Sequence, residues 1–133
     1  WHLVDEEGFI LSEHGVQPYD EVPRLTGLGA TKSAFQVGHK NQLPDLQMAL
    51  RVRASLMLNP TLKEKQLTEI NIANPQQIKF IMDEQVEVRC GSEYELDEHL
   101  ARLSATLKAL ASQNAQPGYI DLRFSEPVIG PRT

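Results

Sequence analysis

The side chains able to do chemistry here are four histidines, one cysteine and a scatter of carboxylates. A zinc site needs three or four His, Cys, Asp or Glu ligands with closely spaced pairs, whereas His2, His14, His39 and His99 stand singly along the chain. Surface or capping histidines account for them, and no metal or cofactor is expected. A nucleophilic mechanism needs a base beside Ser or Cys, and a Ser nucleophile is often presented by a strained Gly-x-Ser-x-Gly turn, which is absent. Cys90 falls at an inward strand position, where a thiol acts as a small apolar filler. Asp5, Glu7, Asp83 and Glu84 could pair for acid and base work in a hydrolase, but both clusters fall at turns, where carboxylates stay solvated and ionised. Gly27-Leu28-Gly29 lacks the Gly-Lys-Ser/Thr or third spaced glycine of a phosphate loop.

The elements that would carry these residues are legible from periodicity. Leu3-Val4 and Phe9-Ile10-Leu11 flank Asp5-Glu6-Glu7-Gly8, whose glycine suits the positive φ of a tight turn, so a β-hairpin opens the chain. Ser12 to Gln42 holds Gly15, Pro18, Pro23, Gly27, Gly29 and Gly38 without a period and reads as loop with room for one short apolar element. Pro44 suits a first helical turn, and Leu43, Leu46, Leu50, Ala54 and Met57 recur at helical spacing until Asn59-Pro60. Ile70 and Ile72, then Ile78, Phe80 and Met82, then Val86, Val88 and Cys90 alternate with polar residues as strands of an antiparallel meander do, with turns at Asn74-Pro75 and Asp83-Glu84-Gln85. Ser92 and Glu95 have capping-box spacing ahead of Leu96, Leu100, Leu103, Leu107 and Leu110 on one helical face. Pro117-Gly118 ends that helix, a strand follows over Tyr119 to Phe124, and a short run follows at Val128-Ile129. The expected fold class is therefore α+β, a mostly antiparallel twisted sheet with two amphipathic helices on one face.

Composition limits the function classes. The 133 residues are 41% hydrophobic and 23% charged, which suits one domain with a core of its own. A net charge of −5, with acids spread along the chain, argues against nucleic acid, which selects a basic face. One cysteine allows no intrachain disulfide. No apolar run reaches the eighteen or more residues of a membrane span. Trp1-His2-Leu3-Val4 reads as the middle of an apolar strand, so further sequence is expected upstream. The leucine stripe is explained by packing on the sheet, which leaves the final strand as the candidate working surface. A strand at a sheet edge carries unpaired N–H and C=O groups that either accept a partner strand or need shielding, and Pro127 and Pro131 look like shielding.

Several segments, in order, resemble the carboxy-terminal β domain of the FtsQ/DivIB family of bacterial cell-division proteins. Leu3-Val4-Asp5-Glu6-Glu7-Gly8-Phe9-Ile10 resembles its opening hairpin, and Val22-Pro23-Arg24-Leu25-Thr26-Gly27 its Leu-Pro-x-Leu-x-Gly segment. Val86-Glu87-Val88-Arg89-Cys90-Gly91 is similar to its strand ending in glycine ahead of a helix. Tyr119-Ile120-Asp121-Leu122-Arg123-Phe124 is similar to its signature of an apolar or aromatic residue, Ile or Val, Asp, Leu, Arg and an aromatic. The resemblance implies no enzymatic activity and no cofactor. It implies a domain held outside the cytoplasmic membrane, on the periplasmic side of an inner membrane, behind an upstream transmembrane helix and a POTRA domain. It further implies binding to FtsB and FtsL by addition of a partner strand to the last strand, with indirect effects on the septal synthases FtsW and FtsI. Carried across, the site would comprise Arg123, Phe124, Ser125, Glu126, Val128, Ile129 and Gly130, with Tyr119, Asp121 and Leu122 forming or supporting the strand. Two departures are that Glu69-Ile70-Asn71 lacks an arginine some members use to pair with FtsB, and that Pro127, which has no N–H, must face away from an added strand or end it. A self-associating module, pairing the edge with its own copy, is the alternative within this fold.

Overall fold

Side chains of a strand point alternately to opposite faces, and the clearest case is Ile78, Phe80 and Met82, all buried, with Lys79 and Ile81 between them. The computed structural model describes residues 1–13, 15, 22–29, 35–83, 86–114 and 116–131. Among them are eight strands and two helices. Strands β1 (His2–Val4) and β2 (Ile10–Glu13) form the opening hairpin. Its turn rests on Asp5, whose Oδ1 accepts from the N–H groups of Glu7, Gly8 and Phe9 at 2.9–3.0 Å. Gly8 has φ +98°, the left-handed conformation expected of it.

Strands β3 (Arg24–Thr26), β4 (Leu67–Asn71), β5 (Ile78–Met82), β6 (Val86–Gly91), β7 (Tyr119–Asp121) and β8 (Val128–Gly130) form one sheet in that spatial order. The meander β4-β5-β6 is antiparallel, as expected, and the pair β7-β8 is antiparallel as well. The pairs β3-β4 and β6-β7 are parallel, and each is joined by a connection long enough to hold a helix. The unpatterned region thus supplies an edge strand, β3. Positions 14, 16–21 and 30–34 of that region, and Glu84 and Gln85 of the expected turn, lie outside the described residues.

Helix α1 (Pro44–Leu58) and helix α2 (Leu96–Ser112) contribute Ala49, Val52, Leu56, Leu96, Leu100 and Leu103 to one core with Ile70, Phe80, Val88 and Ile120 of the sheet. Both helices therefore cover the same face. The phase of α1 differs from the expected one. Leu46 and Leu50 are buried, but Leu43 and Met57 are exposed, and Ala49, Val52 and Leu56 face the core instead. A helix rich in leucine and alanine all round offers several apolar stripes, and contact with the sheet selects among them. The Ser92 and Glu95 capping box does not form. A 3-10 turn at Glu93–Glu95 leads into α2 instead, with the Glu95 N–H donating to the Ser92 carbonyl at 3.2 Å. Helix α2 ends at Ser112, ahead of Pro117-Gly118, with Asn114 at φ +53° just beyond.

Candidate functional site

The register of the sheet builds the site row by row. On the helix-covered face Leu25, Ile70, Phe80, Val88, Ile120 and Ile129 stand side by side across all six strands. Ile70, Phe80, Val88 and Ile120 are at most 1% exposed, whereas Ile129 on the edge strand is 44% exposed. The apolar row runs out into solvent at β8. Val128, 42% exposed, points to the other face of the same edge strand, opposite Asp121, and Phe124, 54% exposed, lies in the bend that leads to it.

The opposite face of the sheet is ionic. Asp121 is buried although charged, and Arg123 folds back on it with Nε to Oδ1 at 2.9 Å and Nη2 to Oδ2 at 2.6 Å. The Arg123 N–H also donates to Oδ1 at 3.1 Å. These bonds from Arg123 hold the Asp121 carboxyl below the usual carboxylate range against the opposing effect of burial, and Arg89 adds to the shift. The same pairing raises Arg123. Arg89 lies 4.3 Å over the Tyr119 ring and 3.5 Å from Glu87, which Lys79 approaches at 3.8 Å. On the far side of Tyr119, the ring presses on Gly130, where any Cβ would fall inside it.

The sequence predicts one terminal strand over Tyr119 to Phe124, and the structure corrects this. Strand β7 stops at Asp121 and is interior, flanked by β6 and β8. Leu122 is buried, with its N–H donating to the Arg89 carbonyl at 2.9 Å. Arg123, Phe124, Ser125 and Glu126 form an exposed bend, Pro127 follows, and the open edge belongs to Val128, Ile129 and Gly130. The register places Tyr119 opposite Gly130 and Asp121 opposite Val128. The Gly130 carbonyl accepts from the Gly118 N–H at 2.8 Å and so faces β7. Alternation then turns the N–H and C=O of Ile129 outward. Pro127 and Pro131 bracket the strand and have no N–H, so the outward edge of β8 offers a single donor, that of Ile129.

Sequence reasoning did not single out Arg102. Its guanidinium, on α2, donates to the carbonyls of Leu122 and Ser125, each at 3.0 Å, and to that of Phe124. The signal for it was a cation set between Leu100 and Leu103 on a helix that otherwise reads as core.

The other candidate chemistry is dispersed. Asp5 caps the hairpin, while Asp83 Oδ1 accepts from the Gln66 N–H at 2.9 Å at the far end of the meander. A cavity of about 410 Å³ lies between β1, Leu25, Leu46 and Leu50, and Asp5 lines it whereas Asp83 does not. His99 Nδ1 is bonded to the Cys90 carbonyl, and Cys90 is buried, its thiol pushed up by that burial and by Asp121. Among the described residues no cluster of His, Cys, Asp and Glu could hold a metal ion, and no helix is long and apolar enough to cross a membrane.

A search of curated proteins returns no match. The family model described as cell division protein FtsQ/DivIB, C-terminal, matches residues 1–123. It takes in the hairpin, both helices and β7, and it ends at Arg123, the first residue of the bend, short of β8. The chain belongs to the FtsQ/DivIB C-terminal family of cell-division proteins.

Proposed function

We propose that this domain is a non-catalytic scaffold of the division machinery that takes up a partner strand on the outer edge of β8. By the family resemblance the partners are FtsB and FtsL, with indirect influence on FtsW and FtsI, and the domain works on the outer side of a cytoplasmic membrane. The observation that carries this reading is the apolar row from Ile70 to Ile120, which ends exposed at Ile129 on an open strand edge. An added strand would extend that row and take up the outward N–H and C=O of Ile129, with Phe124 and Val128 as side-chain contacts. Pairing with a second copy is less well served. Two edges of one donor each give few hydrogen bonds, and a proline-bracketed edge is built against repeated pairing. The full chain should bind the FtsB–FtsL pair of its own organism in calorimetry. Phe124→Ala should weaken that binding by about 2 kcal/mol, roughly 30-fold, without unfolding the domain. Absence of binding by the unaltered chain would end the docking reading, and concentration-dependent light scattering would favour the self-associating one.

A further inference from the structure

The bend between β7 and β8 is exposed from Arg123 to Glu126, yet its main chain is not free. Three of its carbonyls, those of Leu122, Phe124 and Ser125, converge on the one guanidinium of Arg102. We infer that Arg102 is a positioning residue for partner docking, a clamp from α2 that sets the course of the bend and so the placement of Phe124 and the outer edge of β8. This inference rests on the docking reading above.

The guanidinium is suited to the task because its planar fork presents several donors in fixed directions, which a point charge cannot do. Its targets are carbonyl oxygens, so the clamp fixes backbone course whatever side chains the bend carries. Arg102 itself is held on a helix whose neighbours Leu100 and Leu103 are in the core. The Arg102 carbonyl takes part in a further bond, from Thr106 Oγ1 at 2.9 Å. A bend ordered before the partner arrives does not have to be ordered on binding, and this preorganisation appears as affinity. Asp121 and Arg123 fix the start of the bend from the opposite face of the sheet, so the chain leaving β7 is held from both sides.

The test is Arg102→Gln in the full chain, read by amide exchange along the chain and by calorimetry with the FtsB–FtsL pair. Exchange of the Leu122 and Arg123 amides, which are bonded to the Arg89 carbonyl and to Asp121 Oδ1, should quicken by about tenfold or more while the amides of β5 keep their protection. Affinity should fall by roughly tenfold. Arg102→Lys, which keeps the charge and loses the fork, should show both effects in weaker form. Unchanged exchange in the bend, or a loosened bend with unchanged affinity, would overturn the inference while leaving the docking reading in place. Loss of β5 protection in both variants would overturn it too, by making Arg102 a structural residue. An unaltered chain that fails to bind removes the docking reading and this inference together.

Discussion

At the scale of single residues, Asp121 is the charge on which the site turns. It is buried, its partner Arg123 reaches it through Nε and Nη2, and the pairing holds its carboxyl below the ordinary range. A carboxyl whose folded-state value is depressed binds protons less readily folded than unfolded. Its contribution is complete above the unfolded value of roughly 4 and is lost as the pH falls from there through the lower folded value. Asp121→Asn should therefore lower stability at neutral pH by about 2 kcal/mol, because Arg123 and the strand lose a charged acceptor. It should also flatten the acid limb of stability below about pH 4. Urea midpoints measured from neutral pH into that range check both, and parallel curves for the two proteins would contradict the assignment. This residue was legible as part of a motif, but its burial was not, because burial depends on Arg89 and Arg123 closing over it.

At the scale of elements, β8 combines an apolar side-chain edge with a backbone edge reduced to one donor. Ile129→Pro removes that donor while leaving the bonds that face β7, since proline is tolerated on the outer side of an edge strand. It should abolish most partner binding in a titration and leave far-ultraviolet circular dichroism unchanged, with a shift in Tm of only about 2 °C. Retained affinity would mean that the partner docks through side chains alone. The elements differ in how far the sequence disclosed them. The alternation of Ile78, Phe80 and Met82 and the stripe from Leu96 to Leu103 were readable because each buries one face against one neighbour. Strand β3 was not, because Arg24–Thr26 is too short to show a period and its partner β4 lies far along the chain. The interior position of β7 was hidden for the same reason: its parallel pairing with β6 spans the whole of α2.

At the scale of the whole molecule, one core joins both helices to the sheet, and Cys90 sits within it. Its thiol is buried and pushed well above its usual range, first by that burial and then by the nearby charge of Asp121. A thiol reagent should therefore react with the native protein at least about a thousandfold more slowly than with the protein in urea, and the residual rate should follow global opening. Measured against urea concentration, fast labelling well below the unfolding transition would show that β6 opens alone. The sequence resemblance conveyed the fold and the family well. It named Val128, Ile129 and Gly130 but joined them to Tyr119, Asp121 and Leu122 in one strand, because strands of three residues are too short to show where one ends and the next begins.

Gly130 has a consequence for genetics. The Tyr119 ring occupies the volume of its absent side chain, so every missense allele at this codon displaces Tyr119 and, through it, Arg89. A screen for division-defective alleles should recover position 130 readily, and with little dependence on which amino acid replaces glycine. Such alleles would report injury to the support of the edge, although they fall on β8 itself and would pass for lost partner contacts.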